Sequence, residues 1–96
     1  MTELEKAVKE IVEKQEDKES FVKDVLEHGC VSGIVPELVY YEDTHEWFDK
    51  YYEDIEDLRI EVESSIGEPL KIGNNDLKNW LAWFSFEESC RKLYGN

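Results

Sequence analysis

The segment Asp76-Leu77-Lys78-Asn79-Trp80-Leu81-Ala82-Trp83-Phe84-Ser85-Phe86-Glu87-Glu88-Ser89-Cys90-Arg91-Lys92-Leu93-Tyr94 contains no glycine or proline. It distributes Leu77, Trp80, Leu81, Trp83, Phe84, Phe86 and Leu93 over almost every side of a helix. A helix with so little polar face belongs at the centre of its fold, covered by amphipathic neighbours. The turn residues Gly73-Asn74-Asn75 precede it, and Asp76 supplies its cap. The expected architecture is therefore all-α, a compact bundle of three to five helices with the C-terminal helix central.

The covering helices can be read upstream. Thr2 and Glu5 form a capping-box pair, and Leu4, Val8, Ile11 and Val12 recur on one face behind it. The apolar pattern thins over residues 15–19 and resumes at Val22, Val25 and Leu26. This is either one long helix or two separated near Ser20, which could cap the second, with Gly29 ending it. Residues 29–36, with two glycines and Pro36, read as a partly buried connection, and Pro36 opens a short helix through Tyr41. Thr44 is expected to cap the longest helix, residues 44–66, with Phe48, Tyr51, Ile55, Leu58, Val62 and Ile66 on its inward stripe and Gly67 as its stop. Leu70-Lys71-Ile72 is expected to be short and extended.

With 96 residues, 41% of them hydrophobic and three tryptophans, the chain has material for one core, so one domain over residues 1–96 is expected. No apolar run approaches the ~20 residues of a membrane span, and the first residues lack the pattern of a signal peptide. Cys30 and Cys90 are too few for a disulfide framework. A cytoplasmic setting with reduced thiols follows as the expectation.

The charge is the most informative bulk property: 24 acidic against 11 basic side chains, a net −13. Direct binding to nucleic acid is disfavoured, because it depends on clustered Lys and Arg neutralising phosphates, and an anionic membrane would be repelled as well. The imbalance is local. Residues 37–68 hold twelve acids against Lys50 and Arg59, a net of −10. On a helix whose stripe faces inward, Glu46, Asp49, Glu53, Glu56, Asp57 and Glu63 line the outer and flanking faces, with Glu42 and Asp43 just before it. A 23-residue helix is about 34 Å long, which spaces ten net charges about 3 Å apart. That is close to the ~3.4 Å of a single nucleic-acid strand. Most charged helical faces serve only solubility. The lack of compensating lysines, which costs such a helix a few tenths of a kcal/mol per like-charged pair, favours a functional ridge.

Tyr40, Tyr41, Trp47, Phe48, Tyr51 and Tyr52 crowd the start of that region. Adjacent rings cannot all face inward, so Tyr41, Trp47 and Tyr52 are candidate contact residues for a basic partner. His28, Cys30, His45 and Cys90 could in principle gather around zinc or pair as thiol and base. Their spacing matches no metal motif, and no orienting group or oxyanion donor accompanies them. The expectation is no catalysis, no metal and no cofactor.

His28-Gly29-Cys30-Val31-Ser32-Gly33, Tyr40-Tyr41-Glu42-Asp43-Thr44 and Leu81-Ala82-Trp83-Phe84-Ser85-Phe86-Glu87-Glu88 resemble an uncharacterised family of small acidic bacteriophage and mobile-element proteins. The resemblance covers roughly residues 21–93. It brings no catalytic or binding role to any residue. It implies an origin among elements that often encode inhibitors of host defence. By analogy, the expected function is a small interaction protein that presents a DNA-like carboxylate surface to the basic groove of a host nucleic-acid-binding enzyme, such as a restriction or CRISPR effector. An acidic accessory or homodimerising domain with an aromatic contact patch is the alternative.

Overall fold

A computed structural model describes residues 1–28, 38, 40–70 and 77–95; the expectations for residues 29–37 and 71–76, including the caps at Gly29 and Asp76 and the extended Leu70-Lys71-Ile72, fall wholly or partly outside them. The described chain forms five helices: α1 (Glu3–Glu13), α2 (Lys18–His28), α3 (Tyr41–Lys50), α4 (Tyr52–Ile66) and α5 (Leu77–Tyr94). Among the described residues there is no strand, and the all-α bundle stands.

The helix α5 is central: it packs against all four others, most extensively against α3. Its buried positions explain how. Leu81 and Phe86 fill space, while Ala82, Ser85, Ser89 and Cys90, all buried, let neighbouring helices approach closely. Around them gather Leu4, Val8, Ile11 and Val12 of α1, Val25 of α2, Leu38, Phe48 of α3, and Ile55 and Leu58 of α4. The radius of gyration is 12.7 Å, close to the ~12.5 Å expected of a compact domain of this length.

The capping box of α1 is present in both directions. Glu5 N–H donates to Thr2 Oγ1 at 3.0 Å, and Thr2 N–H to Glu5 Oε1 at 2.9 Å. Of the two readings of the N-terminal region, the structure takes the one with two helices. The cap of α2 is Asp17, whose carboxylate accepts from Ser20 N–H at 3.1 Å, so Ser20 sits inside the first turn rather than at the cap.

The expected helix over residues 44–66 is two helices. Tyr51 leaves helical geometry (φ −112°, ψ 28°) between α3 and α4. The break lets α3 lie along α5 while α4 turns to reach α1 as well. Local chemistry favours it. Two adjacent aromatics are weak helix formers, Lys50 suits the negative end of α3, and Glu53 and Asp54 suit the positive end of α4. Instead of one rod of about 34 Å there are helices of about 15 and 22 Å. Thr44 is not a cap but a buried residue within α3, which starts three residues earlier, and Ile66 is 53% exposed rather than inward. Gly67 ends α4 as expected, in the left-handed region at φ 79°.

Candidate interaction surface

Thr44 and Phe48 are buried on the inward side of α3, with Trp47 and Tyr51 half-buried beside them. At 100° per residue the opposite side carries Glu42, Glu46 and Asp49. With Ile55 and Leu58 inward on α4, the same construction puts Glu53, Asp57 and Ile60 outward, and Glu56 and Glu63 on one flank. The acids singled out in the sequence thus straddle the corner between two helices.

They divide by what they hold. Asp43 accepts from Tyr40 N–H at 3.2 Å and fixes the start of α3. Asp49 meets Lys78 of α5 at 3.1 Å. Glu56 pairs with Arg59 at 2.6 Å. Glu63 accepts from Leu70 N–H at 2.8 Å, pinning the chain after Gly67. Glu42, Glu46, Glu53 and Asp57 have no hydrogen bond or ion pair among the described residues. Four of the eight are therefore spent on the fold or neutralised, and four face outward without a cation among the described residues.

Two acids that the charge count could not single out also hold the structure. Asp54 accepts from Leu4 N–H at 3.2 Å, joining α4 to the first turn of α1, and Glu61 meets Lys92 at 2.9 Å. At the corner, Glu3, Asp49, Lys50, Tyr51, Tyr52, Glu53 and Asp54 line a groove of about 620 Å³.

The aromatics separate similarly. Trp47 donates its indole N–H to Ser85 Oγ at 3.1 Å, and its ring lies 4.7 Å from Tyr51 and 6.0 Å from Phe86, which ties it to the core. Tyr52 is 53% exposed, with its ring edge-on to Phe48. The side chain of Tyr41 lies outside the described residues. Sequence reasoning missed Ile60, which is 56% exposed beside Glu53 and Asp57. It breaks the inward stripe, and that irregularity was its only signal.

The thiol and imidazole candidates do not converge in what is described. Cys90 is fully buried, and burial, together with nearby Glu87, pushes its thiol up to about 12, so it is protonated at neutral pH. His28 is exposed at the end of α2, His45 is half-buried on α3, and Cys30 is outside the described residues. No group of three His, Cys, Asp or Glu among the described residues is arranged to hold a metal. No helix of the described residues is long and apolar enough to cross a membrane.

A family model for a domain of unknown function, DUF7222, matches residues 1–96. Neither the curated proteins nor the solved structures contain a match to the chain.

Proposed function

The chain belongs to the DUF7222 family, and from that premise we propose that it is a non-enzymatic interaction domain docking the acidic corner of α3 and α4 onto a basic protein surface. The observation that carries this reading is the set of four outward carboxylates, Glu42, Glu46, Glu53 and Asp57, left without cations among the described residues, in a fold that neutralises or uses their neighbours. Uncompensated like charge on adjacent helical turns costs stability, and solubility needs net charge but not its concentration at one corner. It does accelerate encounter with a cationic partner, and Tyr52 and Ile60 supply uncharged contact area beside it.

The finer proposal is that the partner's basic surface is one that otherwise holds nucleic acid, and that the domain inhibits a host defence enzyme on behalf of a phage or mobile element. The interruption of the acidic segment at Tyr51 supports competition by charge rather than imitation of a straight duplex. The test is capture from host lysate at low and high salt, followed by release with duplex DNA. A nucleic-acid-binding enzyme released by both salt and DNA supports the proposal. If a variant with Glu42, Glu46, Glu53 and Asp57 all changed to Lys captures it equally well, the acidic corner is not the site. In the alternative aromatic patch, Trp47 is committed to the core, and Tyr40 and Tyr52 are the exposed rings of that group among the described residues.

A further inference from the structure

A second surface lies on α2. This helix packs on α1 and α5 through Val25, which is buried, and Phe21, whose ring meets Phe86 edge-on at 6.2 Å. Val22 and Leu26 are left half-buried, and with Tyr94 and the charged residues Lys18, Glu19, Lys23 and Glu27 they line an open groove of about 670 Å³. We propose that this groove is closed by a second copy of the chain, with the two α2 helices antiparallel across a two-fold axis.

The argument is self-complementary charge at one helical spacing. Val22 and Leu26 are four residues apart, and so are Lys23 and Glu27 on the adjoining edge. A two-fold axis perpendicular to the paired helices and crossing them near Asp24 and Val25 sets Val22 against Leu26 of the other copy. The same operation brings Lys23 against Glu27 of the other copy, because residues on one side of an antiparallel pair meet their own counterparts. Each contact occurs twice. Lys23 makes no ion pair among the described residues, and Glu27 meets only the exposed His28, at 4.0 Å, so both are available.

The charge distribution also chooses this occupant. From Lys18 to His28 there are three acids and two bases, whereas Tyr41–Ile66 holds ten acids and two bases. Two chains of net −13 can approach face to face where their charge is nearly balanced. A nucleic acid or a strongly basic protein finds no preference there. This surface is separate from the acidic corner, and its test needs no partner protein.

Sedimentation equilibrium on the purified chain over a range of concentrations, with circular dichroism to verify folding, decides the matter. The expected result is a concentration-dependent dimer. Lys23→Glu alone and Glu27→Lys alone each weaken it about tenfold by turning two attractive contacts into repulsive ones, and the double exchange restores it. Both positions are exposed, so the variants should fold. A mass that stays monomeric at every concentration, or a double exchange no better than the single changes, overturns the proposal.

Discussion

Leu4 N–H donates to the Asp54 carboxylate at 3.2 Å, a hydrogen bond between residues fifty positions apart that fastens the first turn of α1 to the first turn of α4. The carboxylate also sits near the positive ends of both helices, so one side chain serves two termini. Asp54→Ala is expected to cost about 1–2 kcal/mol, as loss of a charged partner to a backbone amide does. Asp57→Ala, one turn further on and without a side-chain partner among the described residues, should change stability by no more than about 0.5 kcal/mol. Urea denaturation of the two variants checks the contrast.

Trp47 gives a second prediction. Its indole N–H bonds to Ser85 Oγ, which donates onward to Ala82 O at 2.7 Å. Trp47→Phe keeps a ring in place and loses one hydrogen bond, so it should cost on the order of 1 kcal/mol beyond the effect of the smaller ring. Trp47→Ala should cost about 3–5 kcal/mol and bring the domain close to unfolding at ambient temperature. Thermal melts separate these outcomes.

The bundle and its central helix were legible because residues 77–94 carry apolar side chains on nearly all sides; those from Leu81 onward are buried or half-buried, while Leu77 and Trp80 at the start of the helix stay exposed. The capping box at Thr2 and Glu5 was legible for the same kind of reason, since it depends on residues three apart. The break at Tyr51 was not foreseen. Phe48, Ile55, Leu58 and Val62 keep a helical period across it, and a stripe of that kind cannot report a change of direction. The signal lay in the charges, with Lys50 followed by Glu53 and Asp54 in the order that suits one helix end and then a new beginning. Which acids were free could not be read at all, because Lys78 and Lys92 reach Asp49 and Glu61 from 29 and 31 residues away.

The caps of α1 predict a pH effect. A backbone hydrogen bond from Thr2 holds the Glu5 carboxyl below its ordinary value, against a smaller opposing effect of burial. A depressed folded-state pKa stabilises above the unfolded value, near 4.5, and that stability is lost as pH falls through the folded pKa. Glu5→Ala, which removes the carboxylate that accepts from Thr2 N–H, should cost about 0.5 kcal/mol at neutral pH. The difference from the parent should shrink as the solution is acidified below the ordinary glutamate range, measured as paired urea midpoints across pH.

Glu87 works in the opposite sense. Burial raises its carboxyl despite the pull of Arg91, so its protonated form is favoured in the fold. Its stabilising contribution is present below the unfolded value and disappears as pH rises through the folded one. Glu87→Gln should therefore stabilise the domain slightly at neutral pH relative to mildly acid pH. A melting temperature that falls equally at both pH values would contradict this.

Cys90 should be chemically silent in the native protein. In a Cys30→Ser background, a thiol reagent at mildly alkaline pH is expected to label Cys90 no faster than the domain opens, and to label it fully once guanidinium chloride unfolds the chain.

Because α1, α2, α3 and α4 each pack more extensively on α5 than on one another, most of the surface on which they close is missing before residues 77–94 exist. As the chain leaves a ribosome, much of its apolar surface stays exposed until that segment emerges, and the native packing is completed only then. Assembly is gated by the part of the chain made last among those that pack together.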